Sequence, residues 1–286
     1  MTSGERIKAA ISHKTIDRIP MIEIGFWDET IKRFQEEGMP EDFYFQPSIW
    51  SGGGYRTEQC YKTSRAKGIY NVIKPEEGCQ YALYLLGDER CLEYMALQSK
   101  MIEDIIATYT LRQIEMLELF EGKGYKFDAI WLFSDLCYKN GMLFSPTFYR
   151  ERVMPHHKRL FAWCKAHGMQ VIYHCDGYVE RLLPLLIESG IDCIQPLEVR
   201  CGNDVRIYKE KYKEKVSFIG NINADVLASD KDSIYQEVKS KVQIAKENGG
   251  YIFHSDHSVP PTVSLENYLC AVETTTKFGR YSHQLD

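Results

Sequence analysis

Short apolar runs and longer stretches with a three-to-four-residue period take turns along this chain. Six runs read as buried strands: residues 19–25, 129–134, 170–174, 192–196, 216–220 and 251–254. The stretches around them read as helices. SGERIKAAISH starts on a Ser cap and sets Ile7, Ala10 and Ile11 on one face. Residues 28–38 form a helix closed by Gly38, and 88–121 form one long helix or two. Pro146 opens a helix that runs to His167 and ends at Gly168. VERLLPLLIESG, DVRIYKEKYK, DSIYQEVKSKVQIAKENGG and SLENYLCAVETTTKFG supply four more. Residues 40–80 are aromatic, Pro- and Gly-bearing, and read as a loop or lid. Long helices between successive strands imply parallel pairing.

This pattern predicts one α/β domain over 1–286, a (β/α)8 TIM barrel, with 69–73 and 80–86 as candidates for the two missing strands. An open doubly wound sheet is the competitor, but its G-x-G-x-x-G turn is absent. SGGGY at 51–55 lacks the Lys-Ser/Thr of a phosphate loop. A net charge of −5 gives no reason to expect a nucleic-acid partner. No apolar run is long enough for a bilayer, so no membrane is expected. Nine cysteines without a C-x-x-C pair, behind a polar amphipathic start, point to a reduced, cytoplasmic protein.

Acidic and imidazole side chains recur just past the strands. They are His174 and Asp176 in VIYHCDG, Glu198 in CIQPLEV, and His257 in YIFHSDHSVPP. In a parallel barrel the C-terminal strand ends meet at one mouth, where active sites are built. Strand alternation puts Ile172, His174 and Asp176 on one face, with Tyr173 and Cys175 on the other. Each residue also has a plainer reading. His174 can be a core histidine, Asp176 a helix cap, Glu198 an ion-pair partner of Arg200 or Arg206, and Asp256 a ligand of backbone amides. Asp135, Tyr138 and Asn140 follow another strand; Asp135 is a candidate acid/base or, more plainly, a cap. Glu23 and Trp27 follow the first strand and would line the mouth opposite. Imidazole and carboxylate ligands from separate strands suit a borderline divalent ion, zinc above all, and an open position would make it a Lewis acid.

The stretches GERIKAAISHKTIDRIP, YKNGMLFSP, HCDG, GIDCIQPLE, FIGNINADVL and GGYIFHSDHSVPPTVSLENY resemble the uroporphyrinogen decarboxylase superfamily in order, with residues 40–90 shortened. The resemblance implies a distorted (β/α)8 barrel. Its decarboxylase branch holds a polyanionic tetrapyrrole with N-terminal arginines, whereas RIPMIEIGFWDETIKRF places Glu23, Phe26 and Trp27 there. Its corrinoid-dependent methyltransferases resemble the chain more. Their zinc-binding His-x-Cys-Gly and Gly-Cys-Gly loops correspond to His174, Asp176 and His257, with both thiolates replaced. By this likeness the expected activity is an O-demethylase-like one. A methyl group would pass from a small methyl ether, polarised by zinc on His174, Asp176, His257 and Glu198, to a Co(I) corrinoid on a separate protein. Asp135 and Tyr138 would be catalytic, and Glu23, Trp27 and Asn140 would bind substrate. Phe26, Trp27, Phe43 and Tyr44 would wall an aromatic group. The expected partners are that substrate, the corrinoid protein and, for assembly, a second copy of the chain. A metal-free decarboxylase or lyase and a non-catalytic barrel that binds a corrinoid protein are the rival readings.

Overall fold

The computed structural model describes residues 1–40, 49–51 and 58–281, so Phe43 and Tyr44 lie outside the described residues. Its strands are β1 (Ile49–Ser51), β2 (Tyr70–Ile73), β3 (Ala129–Phe133), β4 (Cys137–Tyr138), β5 (Gly141–Met142), β6 (Gln170–Cys175), β7 (Cys193–Pro196), β8 (Ser217–Ile219) and β9 (Tyr251–Ile252). The residues group into two compact units, one of Met1–Trp50, Ala66–Tyr70 and Pro196–Asp286, the other of Ser51–Arg65 and Asn71–Gln195.

In the unit centred on residues 71–195, β2 pairs in parallel with β3, and β3 with β6. The β3–β6 register sets Ala129 beside Gln170 and Phe133 beside His174. β7 follows β6 in the sheet. All six residues of β6 are buried, as expected of a parallel strand covered on both faces. Helices Gly78–Leu86, Lys100–Gly122 and Met154–Ala166 belong to this unit. The 80–86 run, a strand candidate by composition, is helix, because Glu77 caps it by accepting from the Cys79 and Gln80 amides. The 69–73 run is β2. The 88–121 stretch breaks at Gln98, whose φ is +52°, and restarts on the Ser99 cap.

The expected single helix over 146–167 is instead three pieces: Pro146–Phe148, a π-turn at Tyr149–Val153, and Met154–Ala166. Pro155 explains the slip. It has no N–H to give the carbonyl four residues back, and its ring crowds that turn.

In the other unit β8 and β9 pair in parallel, with Phe218 beside Tyr251. The expected strand at 19–25 is not continuous; it makes an isolated bridge at Met21–Phe253, and Phe26, just past it, makes another with Val259. The Ile24 amide goes to the His254 imidazole rather than to a neighbouring strand, which interrupts the ladder (2.7 Å). The first helix is capped by Thr2 in a capping box with Glu5, one residue before the expected Ser. The last helix, Leu265–Phe278, packs on Lys231–Ala245. Among the described residues no helix is long and apolar enough to cross a membrane.

Candidate metal centre

β3 and β6 build the site. Phe133 and His174 are register partners, and Asp135 and Asp176, two residues on, lie just past the ends of the two strands. His174 Nε2 lies 3.5 Å from Asp135 Oδ1 and 3.7 Å from Asp176 Oδ1. One donor atom from each of Asp135, His174 and Asp176 lies within 4.8 Å of the others. The Asp176 amide donates to Asp135 Oδ1 (3.0 Å), and the Asp135 amide donates to Gln80 Oε1 (3.0 Å). The Phe133 ring stacks on the imidazole at 4.0 Å.

The second imidazole nitrogen fixes the first. Nδ1 of His174 is 2.5 Å from the Gln195 side-chain carbonyl, which can only accept, so Nδ1 carries the proton. That leaves Nε2, on a side chain 5% exposed, aimed at two carboxylates without a hydrogen bond. The separations are long for hydrogen bonds of ordinary strength. They match the spacing of ligands around one ion: bonds of about 2.0–2.2 Å in tetrahedral geometry set neighbouring ligand atoms about 3.4 Å apart. A buried imidazole oriented by a hydrogen-bonded neighbour, with two carboxylates facing it, is a donor set that fits a divalent cation such as zinc. Burial alone would lower the basicity of His174, but the Asp135 and Asp176 carboxylates outweigh it and raise its pKa above the usual value.

Glu76 adds to this negative field. It forms a parallel bridge with Phe133, and burial followed by Asp135 pushes its carboxyl above the ordinary range, against a smaller pull from His174. Its Oε2 is buried without a hydrogen bond. Tyr138 and Asn140 lie on the β4–β5 hairpin, whose main chain comes close to Gly177 just past Asp176; Tyr138 is 48% exposed and Asn140 is also exposed. Gly177, with φ +88°, makes this approach possible, since a Cβ there would stand 2.7 Å from the Cys137 carbonyl carbon and the Tyr138 amide.

Glu198 and His257 belong to the other unit. Glu198 Oε2 accepts from the Cys201 thiol (3.3 Å), and Oε1 is 4.0 Å from Arg200; Arg206 pairs with Asp204 instead. The carbonyl of His257 accepts from the Ser255 hydroxyl (2.5 Å). Asp256 follows its plainer reading, accepting from the Val199 and Ala224 amides (2.9 Å each). His254 is fully buried; it accepts from the Ile24 amide at Nε2 and meets the Ser255 carbonyl at Nδ1.

Glu23, expected to line an opening, is 2% exposed and bonded to the Ser255 amide, the Ser255 hydroxyl (2.6 Å) and Tyr268 (3.2 Å). Burial pushes its carboxyl up to about 8. Trp27 is 48% exposed at the start of helix Asp28–Glu36.

Sequence reasoning missed Gln80, Gln195 and Glu76. Gln195 was visible as a polar residue inside an apolar strand, and Glu76 as a carboxylate just past a short one, as in the other segments.

Known proteins place the chain. Two curated uroporphyrinogen decarboxylases are similar, from Pelobacter propionicus (27% identical over 140 residues) and Geotalea uraniireducens (29% over 143). Each match covers 49% of this chain and 40% of the relative, so the chain aligns to about two-fifths of their length. A solved structure of a methyltransferase from Methanosarcina mazei superposes with a TM-score of 0.71 at 15% identity, over 97% of this chain and 99% of that one. That likeness shows the fold, a distorted (β/α)8 barrel of the α/β class. Residues 80–278 match the family Uroporphyrinogen decarboxylase (URO-D), and the chain belongs to it.

Proposed function

We propose that this chain is a zinc-assisted methyltransferase that moves a methyl group from a small methyl ether to a corrinoid on a separate protein. The observation that carries the reading is the His174 Nε2 atom, buried, oriented by Gln195 and facing Asp135 and Asp176 at ion-ligand spacing. Bound there, a divalent ion would supply Lewis acidity toward the ether oxygen, an effect worth several kcal/mol. Gln195 keeps the imidazole lone pair turned inward. Asp135 and Asp176 balance the cation's charge. Phe133 stacks on the imidazole ring and holds it flat. The exposed Tyr138 hydroxyl is the proton donor to the departing oxygen. The corrinoid of the separate protein would supply the nucleophile that accepts the methyl group, and the demethylated oxygen would leave as an alcohol or phenol with the proton from Tyr138. Fold likeness to a methyltransferase supports this reading, as does a carboxylate-lined site, which is hostile to a polyanionic tetrapyrrole.

The test combines metal analysis of protein purified without chelator with a panel of methyl ethers, methylamines and methyl thiols given to reduced corrinoid protein. A methyl-cobalt spectrum that needs zinc and His174 supports the proposal. Protein without zinc and without methyl transfer refutes it. The names of the curated relatives favour a second reading, decarboxylation, which CO2 release from uroporphyrinogen would reveal.

A further inference from the structure

Beside the Asp135–His174–Asp176 cluster, in the same unit, lies a buried carboxylate–imidazole pair that the proposed chemistry does not use. Glu77 and His157 have side chains 2% exposed, with His157 Nε2 2.7 Å from Glu77 Oε1. Glu77 Oε2 accepts from the Cys79 amide (2.8 Å) and the Ser134 hydroxyl (2.8 Å). On the far side of the ring, His157 Nδ1 is 2.7 Å from the Tyr149 hydroxyl, itself 3.1 Å from Ser189 Oγ. The Ser189 proton is committed to the Leu185 carbonyl (2.7 Å).

Ser189 has no proton left for Tyr149, so the Tyr149 hydroxyl donates to Ser189 or to His157 Nδ1. The Glu77 carboxylate accepts from His157 Nε2, which makes that ring nitrogen the protonated one. Burial alone would raise the Glu77 pKa, but His157, Ser134 and the Cys79 amide together hold it below the ordinary value.

A buried pair of this kind is a poor source of stability, since an apolar pair of similar size does as well or better. This one has a location that matters. Ser134 adjoins Asp135, and its amide donates to the His174 carbonyl (3.2 Å). Glu77 also caps helix Gly78–Leu86, which presents Gln80, the acceptor of the Asp135 amide (3.0 Å). Both supports of the Asp135 turn lead back to one carboxylate.

We infer that Glu77, held by its hydrogen bond from His157, is a positioning residue that sets the Asp135 carboxylate against His174 Nε2 for cation binding. The inference rests on the metal reading above. Cobalt(II), added alone to the metal-free chain, is the probe, read by its visible spectrum and by competition with a chelator. Ser134→Ala and Glu77→Gln should each bind it roughly 10- to 100-fold more weakly than wild type, with an altered visible band. Ser134→Thr, which keeps the hydroxyl, should restore both. Wild-type affinity and spectrum in Ser134→Ala and Glu77→Gln would overturn the inference. The crystal structure of metal-free Ser134→Ala reads the same point without any ion. An Asp135 carboxylate displaced from His174 supports positioning, and one that stays at 3.5 Å overturns it. Failure of wild type to take up cobalt sinks the metal reading alone, and the crystal result still decides the role of Glu77.

Discussion

A single amide carbonyl decides what His174 can do. Gln195 holds the proton on Nδ1, so Gln195→Leu should free the ring to change tautomer and weaken zinc binding about 10-fold, measured by chelator competition. Unchanged affinity would mean the ring needs no such partner. Glu23 makes a separate prediction, about pH. Folded, its carboxyl keeps a proton up to about pH 8; the ordinary value is 4.5. The native state therefore binds the extra proton between those values, and the sign follows. This contribution to stability is complete below 4.5 and is lost as pH rises toward 8, by about 1.4 kcal/mol per pH unit. Glu23→Gln should flatten that slope in urea unfolding series between about pH 5 and pH 8; equal slopes would contradict it. The pairing of His174 with Asp176 was legible because strand alternation is local. The choice of Gln195, 21 residues on, was not, because it depends on how β6 and β7 meet.

Among the elements, the turn after β6 carries the tightest constraint. HCDG was readable as a strand running into a glycine turn, and the structure gives the reason for the glycine. Gly177→Ala meets both a left-handed backbone and the β4 main chain, so it should cost about 1–3 kcal/mol in unfolding free energy and loosen zinc binding with it. A variant as stable as wild type would show that the hairpin gives way easily. Helices with clear caps, such as Leu265–Phe278 on Ser264, were legible from sequence. The 80–86 run was not, since an apolar stretch of that length suits either state and the deciding bonds come from Glu77. The 19–25 run failed for the opposite reason. Its apolar pattern was right, but an imidazole took an amide that a strand would have used.

At the scale of the whole chain, alternation of strand and helix was enough to name the α/β class but left an open sheet as competitor; the family resemblance implied the barrel, which the 0.71 TM-score bears out. Zinc should stabilise the native state through mass action alone. At a free concentration 100 times Kd the gain is about 2.7 kcal/mol, visible as a higher melting temperature in wild type and absent in His174→Ala. A rise of equal size in His174→Ala would move the ion elsewhere. The two units also differ in when they can exist. One is almost continuous and is complete once Gln195 has been made. The other needs Ile22 to find Phe253 and Ile19 to find Gly279, partners more than two hundred residues apart. During synthesis, then, these pairings of the first segment must wait until residues 253 and 279 have emerged. Pairings over such sequence separations form slowly and leave apolar surface uncovered in the meantime.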